Sequence, residues 1–135
     1  MAKAFILLVS SILAALAQAQ QLPALRPPAV PLIAHDPYFS VWSTADRLST
    51  ATKHWTGADH PLAGIARIDG VALRFMGQWI RSGPAMKQTG LTVTPTRTAY
   101  SFEDRGIRLT VTFFTPALPH DLDVLSRPAT YVLFD

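Results

Sequence analysis

The side chains able to do chemistry in this sequence are four histidines, nine carboxylates and a set of large aromatics. His35, His54, His60 and His120 each have an acid or an aromatic close by, and Asp59-His60 and His120-Asp121 have the composition of acid–base pairs or metal ligands. None shows the i, i+2 or i, i+4 spacing by which zinc sites gather imidazoles on one face. His60 and His120 also adjoin prolines. They read as loop histidines that bond backbone.

Hydrolysis of a glycosidic bond needs two carboxylates across a cleft. Asp69, Asp104, Asp121 and Asp123 fall in turn-like sequence, where the bonding of an aspartate to its own backbone accounts for them. Serine offers no G-x-S-x-G elbow and no S-x-x-K, and glycine no phosphate loop. The absence of cysteine removes disulfides, thiolate metal sites and cysteine nucleophiles. No residue is therefore assigned a catalytic, cofactor or metal role.

The aromatics remain. Tyr38, Phe39, Trp42, Trp55 and Trp79 are suited to stacking on sugar rings, because flat amphipathic faces bury well against apolar ligand surfaces. The preferred reading is packing, with Phe39 and Trp42 plugging the core while Tyr38 and Trp55 close a loop. In HDPYFSVWS (35–43), alternation after Pro37 puts Tyr38, Ser40 and Trp42 on one side and Phe39 and Val41 on the other. Asp36 and His35 are expected to make local backbone bonds there.

Positioning falls to the surrounding elements. Residues 1–19 read as an export signal: a positive start, an apolar run from Ala4 to Leu16, and small-x-small sites ending at Ala17 and Ala19. Its loss would take Lys3 away and lower the net charge from +3 to +2. The basic residues left are scattered, which excludes the stripe of a nucleic-acid binder. No later stretch is a membrane span, and secretion or a periplasmic location follows from the signal.

Residues 20–37 carry five prolines and predict an extended arm. From 38 to 135 period-two alternation dominates, predicting an all-β fold, part of an antiparallel β-sandwich. Asp69-Gly70 marks a hairpin over 63–76 in which Ile68 faces Val71, Ala66 faces Leu73 and Gly64 faces Phe75. A second hairpin over 96–115 turns at Glu103-Asp104-Arg105-Gly106, with Phe102 opposite Ile107, Tyr100 opposite Leu109 and Thr98 opposite Val111. Leu91 to Thr94 predicts a short strand, residues 117–126 a turn region, and Ala129 to Phe134 a buried last strand. Because that strand is followed only by Asp135, the sheet is expected to be cut midway and to present an open edge.

Leu25 to Ser43 (LRPPAVPLIAHDPYFSVWS), His54-Trp55-Thr56-Gly57, Gly64 to Gly70, Phe75-Met76-Gly77, Pro95 to Thr98 and Asp121 to Pro128 together resemble the amino-terminal region of the glutaminase A family. These are secreted fungal glutaminases and multi-domain bacterial relatives. The resemblance implies a β-sandwich region followed by a helical barrel like that of six-hairpin glycosidases, and hydrolysis of L-glutamine to L-glutamate and ammonia in the parent protein. It brings no catalytic residue onto this stretch. The implied role is non-catalytic: to scaffold the barrel, an intramolecular partner. The alternatives are the sandwich of a carbohydrate-active hydrolase and a freestanding carbohydrate-binding module.

Overall fold

The computed structural model describes residues 26–80 and 83–135. The expected signal, 1–19, and the start of the proline-rich arm lie outside the described residues. The fold is all-β and antiparallel, a partial sandwich. Its strands are β1 (Val30–Ala34), β2 (Ser40–Ser43), β3 (Thr52–Lys53), β4 (Gly64–Ile68), β5 (Val71–Met76), β6 (Gln88–Thr94), β7 (Arg97–Asp104), β8 (Ile107–Phe114) and β9 (Tyr131–Phe134). They form sheets of order β1-β2-β3, β4-β5 and β6-β7-β8-β9.

Proline shaped the arm without keeping it single. β1 runs through Pro31 and pairs with β2, with an irregularity between Pro31 and Ile33. An edge strand tolerates such a residue because a missing N–H need not break its ladder. β1 packs over β7 and β8, where the Thr98 hydroxyl donates to the Pro31 carbonyl at 2.7 Å. Between the sheets lie Val30, Leu32, Val41, Tyr100, Phe102 and Phe113, all buried. Gln88 ties the β2–β3 loop to the large sheet, its carbonyl accepting from Leu48 N (2.9 Å) and its amide donating to Asp46 O (3.0 Å).

The β4–β5 hairpin has the expected pairs Ile68 with Val71 and Ala66 with Leu73. Asp69 and Gly70 both take positive φ, 48° and 79°, as a two-residue turn matched to strand twist requires. At its far end Gly64 pairs with Met76 and not with Phe75, across a register irregularity. The Phe75 ring instead lies over Gly64, in space that a Cβ would occupy.

The β7–β8 hairpin corrects the expected register by two residues. Phe102 pairs with Leu109, Tyr100 with Val111, and Thr98 with Phe113. Arg105 accepts φ 48° beside Gly106 at 73°, so the turn needs only those two residues and Glu103 and Asp104 extend β7. A shift of two preserves the side-chain face. Tyr100, Phe102, Val111 and Phe113 therefore still point into the core.

β6 is longer than expected, starting at Gln88. The turn region contains one helical turn, α1 (Leu122–Leu125), capped by Asp121, whose carboxylate accepts from Val124 N at 3.0 Å. The last strand departs most. β9 forms, but it starts at Tyr131, and its four residues are exposed, not buried.

Candidate functional site

The two loops that hold the candidate aromatics meet at one carbonyl. Asp36 Oδ1 accepts from Tyr38 N (2.7 Å) and Phe39 N (2.9 Å), folding HDPYF into a tight turn. That turn presents the Pro37 carbonyl, which accepts from Trp55 Nε1 at 2.7 Å and His54 Nε2 at 2.9 Å. Since Nε2 must carry the proton to donate, Nδ1 of His54 is left to accept, and it lies 2.9 Å from Thr56 Oγ1. Both nitrogens of His54 are thus engaged.

The result is an open cleft of about 330 Å³ bounded by Ala34, His35, Asp36, Pro37, Ser40, Trp42 and Trp55. Trp42 Nε1 donates to Ser40 Oγ at 2.7 Å, so both indole N–H groups already have partners within the chain. Indole rings, His35, Asp36 and Ser40 thus share the cleft wall. Trp42 is half-buried and lines this cleft, a correction to the expectation that it plugs the core; Phe39 is half-buried and packs against it. Trp55 is 61% exposed and Tyr38 nearly fully so.

Electrostatics keep the acid of the cleft ionised. The backbone N–H of Phe39, then that of Tyr38, hold the Asp36 carboxyl below the usual carboxylate value, with nearby His35 acting in the same direction. An acid held ionised in this way is a poor proton donor. His35 Nε2 stands 3.9 Å from Asp36 Oδ2, beyond hydrogen-bond reach. Ser40 is buried and committed to Trp42. The cleft can hold a flat apolar face beside an anionic acceptor.

Of the other candidates, only His60 comes near, its ring 6.4 Å from that of His54. His60 pairs through its backbone with Thr52, whose hydroxyl also donates to the His60 carbonyl at 2.6 Å. Asp59 forms an ion pair with Lys53. His120 is exposed before α1, and Asp69 sits in its turn, while Asp104 closes β7. Trp79 lies in the loop after β5, away from the cleft lining. No group of three potential metal ligands occurs among the described residues.

One buried polar cluster went unseen in the sequence. Among the described residues the buried Tyr100 hydroxyl meets no partner in good hydrogen-bond geometry, Ser43 being near enough to act on it but turned to Ala45 O, and Arg26 Nε is likewise unpaired. Burial raises the phenol above its ordinary value, opposed by nearby Ser43 and by the charge of Arg26. Ser43 gives its own hydroxyl to Ala45 O at 3.4 Å, and Arg26 reaches Asp46 at 3.2 Å. Nothing in the local sequence of Tyr100 distinguishes it from another core aromatic.

Fold and site together define an antiparallel β region with an open aromatic cleft. The chain belongs to the family described as a domain of unknown function (DUF4964), whose pattern matches residues 5–80. A second such family, DUF5127, matches residues 96–135. The chain is also 28% identical over 140 residues to Glutaminase A of Aspergillus oryzae, an alignment that takes in 97% of this chain and 20% of that protein. It thus spans about a fifth of the length of this curated relative. No solved structure matches it.

Proposed function

We propose that this chain is the non-catalytic amino-terminal β region of an exported glutaminase-like hydrolase, whose parent activity is hydrolysis of L-glutamine to L-glutamate and ammonia. Residues 1–19 serve as its leader, 20–37 as its arm and 38–135 as a platform that braces a helical barrel carrying the chemistry. The observation that carries this reading is the resemblance to Glutaminase A along nearly the whole chain but only a fifth of the relative.

The test compares the 135-residue chain with the product of the gene's whole reading frame, both exported and purified. Ammonia release from glutamine is expected from the second and not from the first. Release by the chain alone refutes the non-catalytic role; a longer product that leaves glutamine intact refutes the parent activity. The Trp42–Trp55 cleft specifically favours a second reading, a carbohydrate-binding face. Saturable binding of oligosaccharide to the chain, lost in Trp55→Ala, would establish it in place of the first.

A further inference from the structure

The four-stranded sheet treats its two edges differently. β6, at one edge, is broken by a register irregularity between Gln88 and Gly90 and is polar along Gln88, Thr89, Thr92 and Thr94. Such features discourage a second chain from adding on. β9, at the other edge, is Tyr-Val-Leu-Phe, with no charge, proline or bulge within it.

Its hydrogen-bonding groups are defined by the register. Asp135 and Thr110 exchange both backbone hydrogen bonds (3.0 and 2.8 Å). Because bonded and non-bonded pairs alternate along an antiparallel ladder, Leu133 bonds Thr112 and Tyr131 bonds Phe114. The N–H and C=O of Val132 and Phe134 then point away from β8, with no strand beyond them among the described residues.

The side chains carry the same message. Val132 and Phe134 stand opposite Phe113 and Val111, two residues buried in the core, so they belong to the core face of the sheet. The Phe134 ring meets Phe75 edge-on at 6.1 Å. Yet Val132 is 40% and Phe134 59% exposed. Core-facing apolar side chains at an unblocked edge mark a sheet that stops short of its cover.

We propose that β9 is a docking strand that takes one further β-strand from the same polypeptide, paired through the backbone of Val132 and Phe134 and covering both side chains with apolar residues at alternate positions. This rests on the reading above, in which the platform belongs to a protein several times longer. Area decides against a second copy as the occupant. A lasting dimer needs roughly 20–30 residues a side, and a four-residue edge offers too few to offset the freedom lost on association. A strand joined covalently escapes the translational and rotational part of that loss and gives up only chain entropy, which grows slowly with loop length, and backbone pairing with alternate side-chain pockets is the established way in which an exposed edge is extended.

Amide hydrogen exchange tests this without any mutation. In the 135-residue chain Val132 and Phe134 should exchange near solvent rates while Leu133 is protected; in the whole-frame protein all three should be slowed by about 100-fold or more. Val132→Pro adds a second measurement. It deletes an N–H that no strand in the short chain uses, so the short chain's melt should be unchanged and the longer protein's lowered. Leu133→Pro, which removes a bond to Thr112, should damage both. Fast exchange at Val132 and Phe134 in the longer protein overturns the proposal, and so does a concentration-dependent dimer of the short chain abolished by Val132→Pro, which would make a second copy the occupant. Failure on glutamine leaves these exchange results standing, so docking and substrate are judged separately.

Discussion

Replacing Gly64 with alanine tests whether the Phe75 ring depends on a missing side chain. Gly64 sits in a strand without positive φ, so on backbone grounds alone alanine should stabilise by about 0.5–1 kcal/mol, through a less disordered unfolded chain. The structure opposes this. A Cβ at position 64 would stand 2.3 Å from Phe75 Cζ, 2.4 Å from Cε2 and 2.9 Å from Cε1. Carbon contacts are comfortable only at about 3.5–4.0 Å, so the ring must retreat by more than about 1 Å.

Phe75 has little room for that. It is buried, with Phe102 at 6.0 Å and Phe134 at 6.1 Å between ring centroids. Forcing extra carbon into a filled core costs about 1–3 kcal/mol. Set against the backbone gain, Gly64→Ala should destabilise by about 1 kcal/mol, within a range of about 0–2.5. Urea unfolding reads this as a lowered midpoint at constant slope. Phe75→Leu should relieve the clash, so the double variant should be more stable than additivity allows by about 1 kcal/mol. A Gly64→Ala protein more stable than the parent, or a cycle with no coupling, would refute the account.

Tyr100→Phe removes a buried hydroxyl without a partner, and should be neutral or stabilising by up to about 1 kcal/mol in urea. Because folding raises this phenol above 10.0, the unfolded chain ionises first; stability is full below that value, falls as pH rises toward the folded one, and should fall less steeply in the variant. Folding lowers the Asp36 carboxyl below 3.8, so its contribution is present above that value and lost as pH falls through the folded one; Asp36→Asn should flatten the acid limb of a Tm against pH plot. Trp42→Ala should cost about 1.5–2.5 kcal/mol, about half the 3–5 of a fully buried tryptophan, and a full-sized loss would return Trp42 to the core. Gly70→Val meets nothing within 4 Å at its Cβ, so only the φ of 79° opposes it; a thermal melt should show a cost of about 1–2 kcal/mol.

Where pattern and turn chemistry agree, the sequence was legible. Asp69-Gly70 announced its hairpin because few residue pairs accept positive φ twice in succession. Arg105-Gly106 did the same less audibly, since an arginine there gives no warning, and the register slipped by two. The slip cost nothing in the core because faces repeat every two residues. The apolar run of β9 was misread as buried, for composition reports what a strand's side chains prefer and not whether a neighbouring strand is there to cover them. The cleft was hidden for another reason. His54 and Trp55 reach the Pro37 carbonyl across 17 and 18 residues, and no local spacing encodes that convergence.

The cleft and the β9 edge differ in what they ask of a partner. In the cleft the indole N–H groups and the Pro37 carbonyl are already satisfied inside the protein, so the surface offers ring faces and one carboxylate and leaves those groups without unmet hydrogen bonds. At the edge the demand is specific. Val132 and Phe134 each leave a donor and an acceptor that only water now meets, and they do so beside apolar side chains that favour losing that water. A ligand can come and go on the first surface at little structural cost. Covering the second means satisfying every backbone group at once, which a strand does and a small molecule does not. The β9 edge is therefore the better place to test for an added strand, and the cleft the better place to test for a ligand.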